Sequence, residues 1–134
     1  MARIKHVTIT THDVEKTAAF YKAAFDLKEV GKGIKGVYLS DGFINFAVLK
    51  YDEGGHFKLG IDHLGFQVDD VDAAIAKVKE LGAKPLTPRE VLSTDKDPST
   101  PQYYFEFRCV GPDDQHIDIS SVGWVGAGDP KSSS

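Results

Sequence analysis

The sequence predicts an α+β fold made of two tandem copies of one module, each consisting of a strand, a helix and then three strands. Residues 3–25 and 60–82 resemble each other at a constant offset of 57 positions. Each copy alternates polar and apolar residues and then changes to the three- and four-residue spacing of a helix. The chain after each helix is strand-like, with hairpin turns. These observations predict two βαβββ modules.

The repeat runs without a gap through a strand pattern and the helix pattern that follows it. An ungapped offset of this length is hard to obtain by chance, so the modules are placed at about residues 3–52 and 60–123 of a single domain, 3–123. The Gly/Ser-rich residues 124–134 are predicted to be a flexible tail. The matching residues are Ile4 and Ile61, His6 and His63, Asp13 and Asp70, Val14 and Val71, Ala19 and Ala76, and Lys22 and Lys79.

The first strand of each copy has an apolar side and a polar side. The apolar side must face the helix, because successive side chains of a strand point to opposite faces. The polar side then carries His6 and Thr8 in the first copy, and His63 and Gln67 in the second.

Each helix has a start signal and one apolar stripe. Asp13 and Asp70 are suitable N-caps, and Gly82 is a suitable end for the second helix. Residues spaced three and four apart form the stripe that packs on the sheet. They are Val14, Ala18, Tyr21 and Phe25 in the first helix, and Val71, Ile75, Val78 and Leu81 in the second.

Two hairpins are predicted after the helices. The first, "GVYLSDGFINFAVLK", turns at Asp41-Gly42, and the second, "YYFEFRCVGPDDQHIDISS", turns at Gly111 to Asp114. Residues 85–102 form a long irregular segment without a counterpart in the first copy. This segment is either a loop that covers a binding site or a disordered insertion.

Composition narrows the choice of partner and location. The net charge of -4 gives no basic field for nucleic acid or for an anionic membrane, and no apolar run approaches the length of a membrane span. The N-terminus lacks an apolar signal segment, and the single Cys109 cannot form an internal disulfide. We therefore expect a cytoplasmic protein with a small-molecule partner.

The polar strand faces hold a candidate metal site. In the last strand Ile117 and Ile119 point to the helix side, which puts Asp118 on the face that His6 and His63 occupy in their own strands. Two imidazoles and one carboxylate suit a divalent ion such as Fe, Mn, Zn, Ni or Co, with coordination positions left open. The matching strand of the first copy carries Asn45, a weaker candidate ligand. The alternative is a polar face that holds no metal.

Further candidates flank the predicted metal ligands on the same strand faces. As catalytic residues we consider His116, which shares a face with Asp118, and Tyr104. For Glu106 and Arg108, the alternative role is an outward-facing row of salt bridges. The candidate substrate-binding residues are Tyr38, Glu106, Arg108, Thr8 and Gln67.

The order His, His, acid on a doubled module resembles the vicinal oxygen chelate superfamily, which includes glyoxalase I, extradiol dioxygenases, fosfomycin-resistance proteins, methylmalonyl-CoA epimerase and bleomycin-resistance proteins. The motifs that carry the resemblance are "KHVTI", "DVEKTAAFY", "DHLGFQV", "DVDAAIAKVKELGA" and "GPDDQHIDIS". The resemblance implies that the modules curl a mixed sheet into a cup around a metal. It also implies a homodimer, and it leaves open whether His6 meets His63 and Asp118 within one chain or across a subunit boundary.

Two departures from the family pattern bear on the reaction. The usual last-strand glutamate is replaced by the shorter Asp118, and the equivalent first-copy position is the neutral Asn45. An amide cannot act as a general base, which argues against a standard glyoxalase I mechanism.

Three functions stay open at this point. The first is a divalent-metal-dependent enzyme of glyoxalase or dioxygenase type, whose small substrate chelates the metal through vicinal oxygens. Whether it is a dioxygenase, lyase, isomerase or transferase is left open. The second is a metal-free dimer that binds a small molecule, as bleomycin-resistance proteins do. The third is a structural or regulatory domain that keeps only the fold.

Overall fold

The computed structural model describes residues 1–55, 57–86, 90–91 and 105–128. Two helices and nine strands lie in these ranges. In chain order they are β1 (Arg3–Thr11), α1 (Val14–Phe25), β2 (Lys28–Lys32), β3 (Gly36–Ser40), β4 (Asn45–Lys50), β5 (Gly60–Gln67), α2 (Val71–Glu80), β6 (Lys84–Pro85), β7 (Glu90–Val91), β8 (Phe105–Val110) and β9 (His116–Ser120).

The predicted α+β class and the repeat are both confirmed. β1 and β5 begin 57 positions apart, and so do α1 and α2. Both helices start in the same way, because the carboxylate of Asp13 accepts from the backbone N–H of Lys16 and that of Asp70 accepts from Ala73. The first copy is the expected βαβββ unit. In the second copy α2 is followed by the two-residue strands β6 and β7 before the β8–β9 hairpin.

The chain divides into two compact units. Of the described residues, the first unit comprises those of Lys5–His63 and of 124–128, and the second comprises those of Met1–Ile4 and Leu64–Gly123. In the first unit the strands follow the order β2-β3-β4-β1, with the start of β5 beyond β1. β4 runs parallel to β1 and antiparallel to β3. The register of β1 and β4 places Asn45 beside His6.

The core of the first unit lies between α1 and one face of its strands. Ala18 of the helix packs against Ile9, Leu39 and Val48, which come from three neighbouring strands. Phe25 was predicted to continue this stripe, but that prediction is wrong, because its side chain is 64% exposed. It is the last residue of α1 and contacts the rings of Phe20 and Tyr21 instead.

The second unit repeats this arrangement around α2. Its strands follow the order β5-β9-β8-β6, and β7 pairs with β8. Ile75 and Val78 pack against Phe107, Cys109 and Ile119. Leu81 was also predicted to be core, but α2 ends before it and leaves it 71% exposed. Gly82 follows with a φ of 96°, a left-handed conformation that glycine adopts without strain.

Both predicted hairpins are present. β3 and β4 are joined through residues 41–44, where the Asp41 carboxylate accepts from the backbone N–H groups of Phe43 at 2.8 Å and Ile44 at 2.9 Å. These hydrogen bonds hold the pKa of Asp41 below its usual value. β8 and β9 are joined through a turn closed by Gly111 N–H and the Gln115 carbonyl.

Among the described residues, neither helix has the length and apolar character needed to cross a bilayer.

Candidate functional site

The face of the first unit that points away from α1 is polar and buried. Its strand alternation agrees with the prediction, because Ile9 is in the core while its neighbours Thr8 and Thr10 lie on the other side. In register across three strands stand His6, Asn45 and Ser40. Each of these side chains is at most 5% exposed, which makes their hydrogen-bond partners decisive for the chemistry of the face.

The orientation of His6 is fixed by Asn45. The amide Nδ2 of Asn45 donates to the carbonyl oxygen of Val125 at 2.7 Å, and a carbonyl can only accept. The amide Oδ1 therefore faces His6, whose Nδ1 lies 2.7 Å away. An amide oxygen is also only an acceptor, so Nδ1 carries a hydrogen, and when the His6 ring is neutral its lone pair is at Nε2.

His63 is held in the same tautomer by a carboxylate. Its Nδ1 lies 2.6 Å from Oδ2 of Asp62. The other oxygen of Asp62 accepts from the backbone N–H of Lys58 at 2.7 Å. The Asp62 side chain is fully buried and faces two donors, a setting that suits the ionised carboxylate. The hydrogen of a neutral His63 therefore sits on Nδ1, and its Nε2 also presents a lone pair.

The two Nε2 atoms converge. They lie 3.2 Å apart, and the ring planes are tilted by 47°. The hydroxyl oxygen of Thr8 is 2.8 Å from Nε2 of His6. Two lone pairs directed at each other repel unless a positive charge stands between or beside them, so the arrangement fits a bound proton or cation. In this structure the two histidines meet within one chain, which is one of the two arrangements that the sequence left open.

Two residues of this site were not singled out from the sequence. Asp62 was missed because strand alternation assigns it to the face opposite His63, and its counterpart in the first copy is Lys5. Trp124 was placed in the tail, yet its ring stacks on His6 with 4.8 Å between centroids and 4° between planes. The sequence did carry one signal for Trp124, because it is the only tryptophan of the chain.

The second unit places Asp118 beside Arg108 on the neighbouring strand. The Arg108 guanidinium donates to both Asp118 oxygens, from Nε at 2.7 Å and from Nη2 at 3.2 Å. The same Nη2 lies 3.1 Å from Glu106. Asp118 is fully buried, and Glu106 is 5% exposed. Burial and the Asp118 charge both raise the pKa of the Cys109 thiol, which keeps that buried cysteine protonated.

The other sequence candidates have different immediate neighbours. Tyr38 is half-buried beside Ala47 in the register of β3 and β4, with its hydroxyl next to Gly33. In the second unit, half-buried Gln67 rests against Gly123 and His116 stands half-buried at the start of β9. Tyr104 lies outside the described residues, as do most residues of the 85–102 segment.

Comparison with known proteins identifies the fold and the family. Solved structures with this fold include the 2,3-dioxygenase LapB from Pseudomonas sp. KL28, with a TM-score of 0.70 and 19% identity over 96% of this chain and 43% of that one. A Mn(II)-bound glyoxalase from Novosphingobium aromaticivorans gives a TM-score of 0.68 and 24% identity over 96% and 42%. This chain therefore spans less than half the length of either enzyme.

A third structure is of similar size. A methylmalonyl-CoA epimerase from Streptomyces coelicolor, in complex with 2-nitronate-propionyl-CoA, gives a TM-score of 0.64 and 18% identity over 89% of this chain and 97% of that one. No curated protein sequence matches. The sequence model of the Glyoxalase/Bleomycin resistance protein/Dioxygenase superfamily matches residues 3–96. The chain, with its doubled βαβββ plan, belongs to that superfamily.

Proposed function

We propose that the protein is a divalent-metal-dependent enzyme that acts on a small substrate with two adjacent oxygens. His6 and His63 bind the ion through Nε2, and Asp118 supplies a carboxylate oxygen. The observation that carries the proposal is the 3.2 Å approach of the two Nε2 atoms, with both Nδ1 atoms engaged by acceptors. When bound, such an ion acts as a Lewis acid that polarises the substrate oxygens.

The surroundings of the histidines fit a metal site. Metal-binding imidazoles commonly donate their second N–H to a carboxylate or a carbonyl-type oxygen, which fixes the ring and raises its basicity. Asp62 plays this part for His63 and Asn45 plays it for His6. In this proposal Asn45, a weaker ligand candidate from the sequence, positions a ligand through its amide oxygen.

Asp118 completes a set of two neutral donors and one anion. Each carboxylate oxygen has two lone pairs, so the contacts with Arg108 leave acceptor capacity for an ion. Arg108 then orients the carboxylate, and Glu106 balances the guanidinium charge. Three protein donors leave coordination positions open for a substrate and for water. Of the other candidates, Thr8 contacts the His6 nitrogen that would face the ion, and Tyr38, Gln67, His116 and Tyr104 remain proposed substrate or proton-transfer groups.

Direct metal analysis of ligand variants tests this proposal. We expect the wild type to bind one divalent ion per chain, and His6→Ala, His63→Ala and Asp118→Asn each to lose most of it. The matched controls are His12→Gln and Asp113→Asn, which change exposed residues. Elemental analysis after dialysis, with calorimetry for affinity, provides the measurement. A wild type that binds no Fe, Mn, Zn, Ni or Co contradicts the proposal.

A second candidate function is metal-free binding of a small molecule. The observation that favours it is the Arg108 pair, since a guanidinium bound to both oxygens of a buried carboxylate already balances that charge. Ligand binding or resistance that is unchanged by chelators and by Asp118→Asn would support this function over the metal enzyme. In either case we propose a small-molecule partner and a cytoplasmic homodimer.

A further inference from the structure

The chain after β9 returns to the polar face of the first unit. Trp124 of residues 124–128, which we call the C-terminal strap, stacks on His6 there, and three carbonyl groups of the strap accept hydrogen bonds from side chains of the strands. The carbonyl of Val125 accepts from Asn45 at 2.7 Å, and that of Gly126 accepts from the Ser40 hydroxyl at 2.7 Å. The carbonyl of Gly128 accepts from the partly buried amine of Lys5. The strap is therefore bonded to β1, β3 and β4.

The glycines of the strap permit this close approach. Gly126 has a φ of 77°, and a Cβ there would lie 2.6 Å from a methyl carbon of Val30. At Gly128 a Cβ would lie 2.5 Å from the carbonyl oxygen of Gly42. Side chains at these positions would force the strap away from the strands.

We propose that the C-terminal strap is a positioning element of the metal site, and that its single tryptophan reports occupancy of that site. This inference rests on the proposed function. The Val125 carbonyl orients the Asn45 amide, the amide oxygen holds the hydrogen of His6 on Nδ1, and Nε2 is thereby kept as the metal-binding atom. Trp124 covers one face of the same ring and restricts its rotation.

Because Trp124 stacks on His6, the proposal can be tested without knowledge of the substrate. A paramagnetic ion bound to a histidine quenches an indole in contact with that histidine, so emission from the only tryptophan follows the metal directly. The probe is Co²⁺ alone, because its visible absorption band reports coordination independently of fluorescence. We expect both signals to change together and to saturate at one ion per chain.

Variants of the strap separate positioning from bulk stability. Trp124→Phe retains an aromatic face and is expected to bind Co²⁺ nearly as well as the wild type. Trp124→Ala, Asn45→Leu and Gly126→Ala each disturb His6 without removing a proposed ligand, and we expect about 10- to 100-fold weaker binding. Ile34→Ala changes a fully exposed side chain and is the control. Circular dichroism identifies any variant that fails to fold.

A further measurement identifies which nitrogen of His6 coordinates the ion. A general loss of stability does not change the identity of that nitrogen. In the Zn²⁺ form, nitrogen NMR of the imidazoles is expected to show coordination through Nε2 in the wild type and through a mixture of nitrogens in Asn45→Leu. Co²⁺ binding with unchanged tryptophan emission, or with full affinity in Trp124→Ala and Asn45→Leu, would overturn the strap proposal alone. Absence of binding by the wild type of Co²⁺ and of the other four candidate ions would overturn the proposed function as well.

Discussion

At the scale of single residues, the histidine pair depends on what lies behind each ring. Each imidazole directs Nε2 toward the other ring because Asn45 and Asp62 accept from the Nδ1 atoms. The acceptor behind His63 is a carboxylate, and the acceptor behind His6 is a neutral amide. The two positions of the repeat therefore have identical side chains with different support.

Replacing Asp62 with asparagine tests this support. Asp62 accepts at both oxygens, from Lys58 N–H and from His63 Nδ1–H, whereas an amide offers one acceptor and opposes its NH₂ group to the other donor. We expect Asp62→Asn to lose roughly 1–3 kcal/mol of unfolding free energy and to bind Zn²⁺ about 10- to 100-fold more weakly. Urea unfolding and calorimetry measure the two effects, with Asp113→Asn as the control. Equal Zn²⁺ affinity in both variants would show that Asp62 does not support the ligand.

A second prediction at this scale concerns Asn45. An amide that accepts from His6 and donates to Val125 cannot remove a substrate proton, and the proposed ligand set carries one carboxylate where a glyoxalase I site has two. We expect no lactoylglutathione lyase activity from the wild type with hemithioacetal and Zn²⁺, Ni²⁺, Co²⁺ or Mn²⁺. Asn45→Glu, assayed in parallel, shows whether a carboxylate at this position changes metal affinity. Robust turnover by the wild type would refute this reasoning.

At the scale of elements, short polar side chains stabilise the starts of the helices and the turn between two strands. Asp13 and Asp70 begin the helices, and Asp41 closes the β3–β4 hairpin through two backbone N–H groups. These contacts span two or three residues, which is why the sequence predicted the helix starts and the turn at Asp41-Gly42 correctly. The stripes were less accurate at their ends, where Phe25 and Leu81 follow the helical period but lie at or beyond the last residue of each helix.

The Asp41 turn makes a pH-dependent contribution to stability. Its pKa is lower in the folded state than in the unfolded chain, where it is about 3.9. The contribution is therefore fully present above the unfolded value and is lost as the pH falls through the folded one. We expect Asp41→Ala to lose about 1 kcal/mol at pH 7, and the stability difference between wild type and Asp41→Asn to shrink between pH 5 and pH 2.5. Urea unfolding across this range measures it, and a difference that does not vary with pH would contradict the assignment.

At the scale of the whole molecule, each unit combines one helix with one set of strands and has its own core. Among the described strands, β2 ends the order of the first unit and β6 that of the second, so each order ends in an edge strand. Edges of this kind are commonly covered by a partner. Large apolar side chains are also exposed on β1 and β5, where Ile4 is 48% and Ile61 is 72% exposed.

We therefore expect a dimer at micromolar concentration. Sedimentation velocity measures the mass, and Ile61→Glu is expected to shift the distribution toward monomer because it places a charge in a surface that a partner would bury. Glu53→Lys, an exposed charge change in the connection between β4 and β5, is the control. A wild-type protein that sediments as a monomer at tens of micromolar would contradict the prediction.

The sequence by itself determined the repeat, the start of the first strand and of the helix in each copy, the hairpin turns and the family. These features depend on neighbours within a few residues or on a pattern that recurs at a fixed offset, and both are visible in a single chain. It also selected His6, His63 and Asp118, because residue type and strand alternation suffice to place donors on a face.

Only the tertiary structure decided what supports those donors. Asn45 reaches His6 through the register of two strands 39 positions apart, and Trp124 and Val125 reach the same face after the last strand of the second copy. Asp62 contacts the ring next to it despite the alternation that assigns it to the other face. Such contacts depend on register, side-chain rotation and the return of a distant segment, and hydrophobic periodicity carries no information about any of the three.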